Sequence, residues 1–235
     1  MKTYLVTGGN SGIGRAIALK LAAENHVFIL GRNEERLNKV ARLSGQIDII
    51  QSDLADLGNI RSTFDYIYEK GFKLDGLVHS AGITMSAPIS AVASDEMQKL
   101  MTVNCMAFAE LMKYFSKKKY SNNGGSVVAI SSLAACVCTK GTAIYAASKA
   151  ALNNLVKVSA KELAKRGIRV NAVMPGFVKT SMVEEDGHFQ EMIQTEQPWG
   201  LLEPEQVADL VVFLLSENSK MITGTTIPIT GGRVV

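Results

Sequence analysis

The sequence predicts a single doubly wound α/β domain, in which helices cover both faces of a parallel sheet of about seven strands. Short runs rich in Val and Ile, of the kind that form buried strands, recur at residues 4–6, 26–30, 47–50, 76–78, 127–130, 168–173 and 225–229. Segments with helical spacing separate most of them, at residues 14–24, 34–43, 60–70, 142–166 and 204–216. Because strands that alternate with helices form parallel sheets with right-handed crossovers, we expect the seven runs to share one sheet.

Length and composition indicate one domain. The chain has 235 residues, of which 47% are hydrophobic and 20% charged. This is enough for one large core and short for two independent domains. No internal repeat or low-complexity linker interrupts the pattern, so we expect a single domain over residues 1–235.

The charge pattern argues against binding to nucleic acid or membranes. The net charge is +3, and the basic residues are scattered apart from the run 117–119, which is typical of a solvated helix end. The chain enters strand-like sequence without a charged leader, and its longest near-apolar stretch, residues 127–137, is well short of the ~20 residues that a membrane span needs. We therefore expect a cytoplasmic protein.

The cysteines indicate neither a disulfide framework nor a metal site. There are three of them, an odd number, and the spacing of Cys136 and Cys138 is too tight for a paired zinc half-site. We expect reduced thiols and no bound metal.

A glycine-rich turn follows the first strand. It reads Thr7-Gly8-Gly9-Asn10-Ser11-Gly12-Ile13-Gly14, and a helical segment begins at once. Glycine permits a tight turn and a close approach to a pyrophosphate, while the N-terminus of a helix offers free N–H groups and a partial positive charge. The order of strand, glycine turn and helix thus predicts a Rossmann-type dinucleotide-binding unit rather than an ordinary loop.

The spacing of this turn resembles the Thr-Gly-x-x-x-Gly-x-Gly fingerprint of the short-chain dehydrogenase/reductase family. Tyr145 and Lys149 match the family's Tyr-x-x-x-Lys signature, and Ser132 at the end of a strand matches its catalytic serine. Asn104 matches the fourth catalytic position, where an amide helps to hold a water that relays protons to the lysine. The resemblance covers essentially the whole chain and implies an oxidoreductase that interconverts a carbonyl and a secondary alcohol.

These residue types suit acid–base chemistry. A spacing of four places Tyr145 and Lys149 on one face of a helix. A free phenol has a pKa near 10, so we expect the ammonium of Lys149 to lower the pKa of Tyr145 by about two or three units, at roughly 1.4 kcal/mol for each. The hydroxyl of Ser132 is expected to donate to the substrate oxygen as negative charge develops there.

The resemblance also implies the contacts of the cofactor. Asp53 would contact the adenine ring, and the backbone of Val178 with the side chain of Thr180 would hold the nicotinamide carboxamide. The full set of expected cofactor-binding residues is Gly8, Asn10, Ser11, Gly12, Ile13, Gly14, Arg32, Asp53, Leu54, Ala81, Gly82, Tyr145, Lys149, Pro175, Gly176, Val178 and Thr180.

One family element is only partly kept. Where the family has Asn-Asn-Ala-Gly after the fourth strand, this chain has His79-Ser80-Ala81-Gly82. The two amides that brace the central sheet are therefore replaced. We expect His79 to take over part of that bracing as a structural residue.

The end of the second strand predicts NADP(H) as the cofactor. In NAD-specific relatives an Asp or Glu at this place bonds the ribose 2′-hydroxyl and repels a 2′-phosphate. This chain has Gly31 there, followed by Arg32, whose guanidinium is suited to a phosphate. The alternative is an ordinary solvated arginine, which is favoured by the neutral Ser11 where many NADP-using relatives carry a second basic residue.

Residues 177–200 form a long segment between strand and helix, which is typical of a substrate-binding lid. We expect a mostly apolar pocket, to which Trp199 also contributes. Its expected lining residues are Ser132, Ala134, Cys138, Ile144, Phe177 and Met182.

Three functional hypotheses remain open at this point. The substrate is expected to be a 3-oxoacyl thioester, with residues 117–119 and Arg166 available to an acidic carrier protein. A small ketone, steroid or sugar derivative fits as well, and the third hypothesis is a non-catalytic NADP-sensing protein. The resemblance also implies a homotetramer or homodimer, associated through helices at residues 104–119 and 146–166.

Overall fold

Seven parallel strands form one sheet in the described part of the chain. The structure is a computed structural model that describes residues 1–137, 139–180, 193 and 195–234. The strands follow the order β3-β2-β1-β4-β5-β6-β7. They are β1 (Thr3–Thr7), β2 (His26–Gly31), β3 (Ile47–Gln51), β4 (Leu74–His79), β5 (Ser121–Ile130), β6 (Arg169–Pro175) and β7 (Thr226–Ile229). The prediction of a doubly wound parallel sheet is confirmed.

Helices connect the strands. They are α1 (Gly12–Leu21), α2 (Glu34–Ala41), α3 (Asn59–Glu69), α4 (Ser94–Met101), α5 (Ala107–Phe115), α6 (Ala143–Leu163) and α7 (Pro204–Leu215). The expectation of a helix over 104–119 was wrong at both ends, since a π-helical turn spans Thr102–Met106 and α5 ends at Phe115. Helix α4 was missed because Leu100 is its one buried residue, which leaves almost no apolar periodicity to detect.

Alternation along the strands builds two hydrophobic cores. Leu5 faces the core beneath α3, α5 and α6, whereas its neighbour Val6 faces the core beneath α1, α2 and α7. Phe28 and Ile29 divide in the same way. Successive side chains of a strand point to opposite faces of the sheet. A continuous apolar run therefore packs against helices on both faces, and the sheet is buried between two helical layers.

The order of the strands reverses between β1 and β4, which are neighbours in the sheet. Open α/β sheets bind ligands at such a switch point, outside the carboxyl ends of the strands. The glycine-rich turn after β1 and the segment after β4 meet here. Among the described residues, no helix combines the length and apolar character needed to cross a membrane.

Candidate active site

The glycine-rich turn after β1 packs closely against the backbone of the segment after β4. Gly8 has φ +69°, and a Cβ there would lie 2.9 Å from the backbone of Ala81. A Cβ on Gly14 would lie 2.2 Å from the carbonyl oxygen of Gly8, so α1 starts directly against the turn. No side chain of the described residues caps the first turn of α1 at Ser11. A glycine cradle with an uncapped helix N-terminus fits a pyrophosphate.

Several predicted cofactor residues converge on this cradle. A Cβ on Gly12 would lie 3.1 Å from Cγ2 of Thr180, so the segment after β6 reaches the glycine turn. A Cβ on Gly31 would lie 3.0 Å from Oδ1 of Asn10, so the end of β2 also borders it. The side chain of Arg32 is exposed and makes no ion pair with the residues that the structure describes.

The remaining predicted cofactor residues lie along the same edge of the sheet. Asp53 follows β3, is exposed, and accepts a hydrogen bond from the Ala55 N–H at 3.0 Å, while Leu54 is buried. Pro175 ends β6, and the N–H of Gly176 donates to the carbonyl of Ile229 at 2.9 Å. The roles assigned to them remain predictions.

The hydroxyls of Tyr145 and Ser132 lie near each other at the carboxyl end of β5, close enough for Ser132 to affect the pKa of Tyr145. Ser132 follows β5 in extended conformation, and its Oγ also accepts from the Ala134 N–H at 3.2 Å. Tyr145 lies in the first turn of α6 and is partly buried. Two hydroxyls held together in this way can both reach one carbonyl oxygen, one as a proton donor and one as a hydrogen-bond donor.

Lys149 is buried behind this pair. Its Nζ donates to the carbonyl of Ile130 at 2.9 Å and lies 5.8 Å from the centre of the Tyr145 ring. Loss of solvation lowers the pKa of Lys149 to about 8. The neighbouring Ser131 is a structural residue, since its Oγ donates to the Lys149 carbonyl at 3.4 Å.

The expected decrease in the pKa of Tyr145 is not found in the protein alone. Burial raises the pKa of Tyr145, and the hydrogen bond from Ser132 opposes this only in part. The physical reason is that burial disfavours the charged phenolate, while the Nζ of Lys149 is hydrogen-bonded to the Ile130 carbonyl. Tyr145 is therefore held protonated, which suits a proton donor.

Asn104 lies in the π-helical turn and is fully buried. Its Oδ1 accepts from the Ile83 N–H at 2.8 Å, and its Nδ2 donates to the Ile83 carbonyl at 2.9 Å and to Oγ of Ser148 at 3.1 Å. The side-chain amide thus ties the loop after β4 to α6. Its expected part in holding a water remains a prediction, since protein groups engage both of its polar atoms.

Gly82 brings the predicted catalytic residues and the β4 loop together. A Cβ at this position would lie 3.3 Å from Oδ1 of Asn104 and 3.4 Å from Nζ of Lys149. A larger residue would press on both side chains. The absence of a side chain at Gly82 therefore allows the loop to approach them closely.

His79 braces the central strands. It is fully buried at the end of β4, and its Nδ1 lies 3.1 Å from Oγ1 of Thr7 at the end of β1. The same Thr7 oxygen accepts from the Ala81 N–H at 3.2 Å, so its hydrogen is available to Nδ1. His79 thus holds the two loops of the cradle in register through Thr7, as a bracing residue does.

We expect His79 to make the protein sensitive to acid. Burial, with a further contribution from Lys149, lowers the pKa of His79 from 6.5 to about 3. Below about pH 6.5, His79 therefore binds a proton in the unfolded chain but stays neutral in the folded protein. As the pH falls, the free energy of unfolding decreases by up to roughly 1.4 kcal/mol per pH unit. In denaturant unfolding experiments, this residue alone should make the free energy of unfolding about 2 kcal/mol lower at pH 5 than at pH 7.5.

The variant His79→Asn, which restores the amide of the family pattern, should lose this part of the pH dependence. Its unfolding free energy is expected to change less steeply between pH 7 and 4.5 than that of the unmodified protein. Equal slopes for the two proteins would show that His79 is not the group responsible.

The roles of the predicted substrate residues remain predictions. Ala134 lies two residues after Ser132, Ile144 directly precedes Tyr145, and Phe177 follows Gly176; all three are partly buried. Cys138 and Met182 lie outside the described residues. Trp199 is 84% exposed, and its ring lies 3.0 Å from where a Cβ on Gly232 would stand.

The basic residues considered for a carrier protein lie at the end of the sheet opposite the hydroxyl pair. Arg166 donates to the carbonyls of Ser116 and Ser121, where β5 begins. Lys119 pairs with Asp65 at 2.8 Å. Because β5 has ten residues, about 30 Å separates its start from the hydroxyl pair at its end. Arg166 therefore caps a turn and does not line the site.

Sequence reasoning missed two residues that shape the site, Thr7 and Ser148. They were visible only as parts of motifs, in the glycine turn and between Tyr145 and Lys149. Among the described residues, no group of three or more His, Cys, Asp or Glu side chains is arranged to hold a metal.

Comparison with known proteins identifies the family. Residues 8–233 match the family model described as enoyl-(acyl carrier protein) reductase. The chain is 37% identical to the 3-oxoacyl-(acyl-carrier-protein) reductase of Rickettsia felis, over 100% of this chain and 97% of the relative. It is 35% identical to carbonyl reductase family member 4 of Xenopus laevis, over 98% of this chain and 97% of that one. A short-chain type dehydrogenase/reductase from Mycobacterium ulcerans has a similar structure, with TM-score 0.93, 31% identity, and coverage of 98% of this chain and 89% of that one. The glycine cradle, the Tyr-x-x-x-Lys helix and these matches agree: the chain belongs to the short-chain dehydrogenase/reductase family of oxidoreductases.

Proposed function

We propose that the protein is an NADP(H)-dependent reductase of a carbonyl group, with a 3-oxoacyl thioester as its substrate. The observation that carries this proposal is the pair of neighbouring hydroxyls of Tyr145 and Ser132, with Lys149 buried behind it. Such a pair supplies what reduction of a C=O bond needs at the oxygen: one proton and one stabilising hydrogen bond.

The cofactor fits the residues that border the site. The cradle of Gly8, Gly12 and Gly14 would hold its pyrophosphate, Arg32 its 2′-phosphate, and Val178 with Thr180 its carboxamide. When bound, the nicotinamide supplies the hydride. Tyr145 gives its proton to the carbonyl oxygen, Ser132 donates a hydrogen bond to the same oxygen, and the charge of Lys149 stabilises the phenolate that remains.

The substrate class rests on the curated relatives and on the site together. The Rickettsia felis relative is named for 3-oxoacyl substrates, and the Xenopus laevis relative for carbonyl reduction. Ala134 and Ile144 neighbour Ser132 and Tyr145 in the sequence, and both they and Phe177 are apolar and partly buried; we expect them to receive an acyl chain. A small ketone meets the same requirement and is the second candidate.

A substrate panel tests this proposal. The purified protein should oxidise NADPH in the presence of acetoacetyl thioesters, with a higher kcat/KM than with small ketones, steroids or sugar derivatives. A preference for a small ketone would favour the second candidate. NADPH binding without turnover on any carbonyl would favour a cofactor-sensing protein.

We expect the rate of reduction to fall in alkaline solution. The pKa of Lys149 is about 8, and that of Tyr145 is raised above its ordinary value. As the pH rises, Lys149 therefore loses its charge before Tyr145 loses its proton. At saturating NADPH, kcat/KM for the carbonyl should be level near pH 6 to 7.5 and fall about tenfold per pH unit well above 8. A rate that increases through pH 9 would contradict this assignment.

We also propose that the protein forms a homotetramer or homodimer. The helices expected to associate are α5 and α6. Val158 of α6 is exposed, and so is Met106, which directly precedes α5. Static light scattering at micromolar concentration should give two or four times the chain mass of 25.3 kDa. A single-chain mass would argue against association through these helices.

A further inference from the structure

The buried side-chain amide of Gln197 forms hydrogen bonds to the backbone at both ends of residues 177–200. It is 1% exposed. Its Oε1 accepts from the Phe177 N–H at 2.8 Å, and its Nε2 donates to the carbonyls of Phe177 at 2.9 Å and Gly200 at 2.7 Å. The side chain thus pairs with Phe177 through two hydrogen bonds, as a neighbouring strand would, and makes a third hydrogen bond to Gly200, all in a place without solvent.

Two glycines make room for this amide. A Cβ on Gly176 would lie 2.3 Å from Oε1 of Gln197, and a Cβ on Gly231 would lie 2.6 Å from its Cγ. Gly176 does not have a positive φ, so the obstacle to a side chain there is the contact with Gln197. The Pro175-Gly176 turn and the Gln197 side chain therefore fit each other.

Hydrogen bonds and an ion pair also hold the backbone around Gln197 in place. The Trp199 N–H donates to the Gly231 carbonyl at 2.9 Å, and Glu196 forms an ion pair with Arg233. The Gly176 turn that Gln197 contacts also packs near Leu133, which directly follows Ser132: a Cβ on Gly176 would lie 3.5 Å from Cδ1 of Leu133.

We propose that Gln197 is a positioning residue, which sets the backbone of Gly176 and Phe177 against the hydroxyl pair and so defines the substrate side of the site. This inference rests on the proposed carbonyl reduction. Gln197 acts through Phe177 and Gly200 and bonds neither to Tyr145 nor to Lys149. Its loss should therefore affect substrate binding more than proton transfer.

The test compares Gln197→Met with a matched control. Methionine keeps the length of the side chain and removes all three hydrogen bonds. We expect KM for acetoacetyl thioester to rise about tenfold, as for a buried donor or acceptor left without a partner, while kcat changes less than about threefold. The control is Gln206→Met, which removes the hydrogen bond to the Glu203 N–H at the start of α7 and should leave KM unchanged.

A second variant, Gln197→Glu, is used if Gln197→Met fails to fold. It keeps the acceptor for the Phe177 N–H and should also raise KM.

A double-mutant cycle tests the contact itself, independently of activity. Gly176→Ala should increase the unfolding equilibrium constant at least about tenfold in the unmodified protein, because its methyl meets Oε1. In the Gln197→Ala background the same change should have a much smaller effect.

The proposal is overturned by an unchanged KM in Gln197→Met or Gln197→Glu, by an equal rise in the control, or by additive effects in the cycle. Absence of carbonyl reduction by the unmodified protein would instead overturn the proposed function, and the cycle would still report on the contact.

Discussion

Replacing Tyr145 with Phe should reduce kcat for carbonyl reduction by about 10³-fold, within the range that a general acid contributes, while NADPH still binds. The change removes the hydroxyl that Ser132 contacts and leaves the ring in place. The raised pKa of Tyr145 keeps its proton in place at neutral pH, and the aliphatic hydroxyl of Ser132 is too weak an acid to replace it. Steady-state kinetics and NADPH fluorescence titration measure the two effects separately.

Lys149→Ala provides the contrast. It removes both the charge behind the phenol and the hydrogen bond to the Ile130 carbonyl, and Lys149 is also expected to contact the cofactor. Both kcat and NADPH affinity should therefore fall. A Tyr145→Phe variant with near-normal kcat would require another proton donor and would end the assignment.

The double change Gly31→Asp with Arg32→Ile should reverse the choice of cofactor. One partly solvated arginine on a phosphate contributes on the order of 1.5–3 kcal/mol, which corresponds to a preference for NADPH of roughly tenfold to a hundredfold. The new carboxylate would bond the 2′-hydroxyl of NADH and repel the 2′-phosphate. The ratio of kcat/KM values for the two cofactors, measured before and after the change, gives the result.

The local structure permits this change. Gly31 does not have a positive φ, and its new Cβ would stand 3.0 Å from Oδ1 of Asn10, which must move by a few tenths of an ångström. Arg36→Ile is the matched control, because Arg36 is another exposed arginine nearby on α2; it should leave the ratio unchanged. Equal use of both cofactors by the unmodified protein would contradict the assignment to Arg32.

Much of the fold was predictable because strands such as β2 are buried on both faces and therefore read as continuous apolar runs. Spacing likewise predicted that Tyr145 and Lys149 share one face of a helix, and the family resemblance implied that Ser132 at a strand end lies with them. Helix α4 was not predictable, because one buried leucine gives no periodicity.

Properties that depend on packing could not be derived from the motifs. The direction of the pKa change at Tyr145 is set by burial, which spacing does not report. The bonds of Gln197 to Phe177 and of His79 to Thr7 join residues far apart in the chain. Arg166 looked available to a partner until the structure placed its guanidinium on the carbonyls at the start of β5.

The most direct test of the central claim is the transfer of hydrogen from NADPH to a carbonyl carbon. Acetoacetyl thioester is incubated with the purified protein and with NADPH that carries deuterium at the transferable position, and the product is analysed by mass spectrometry. We expect one deuterium at the new alcohol carbon, one alcohol formed for each NADPH consumed, and almost no product with Tyr145→Phe. Consumption of NADPH without a deuterated alcohol, or equal product from Tyr145→Phe, would contradict the account.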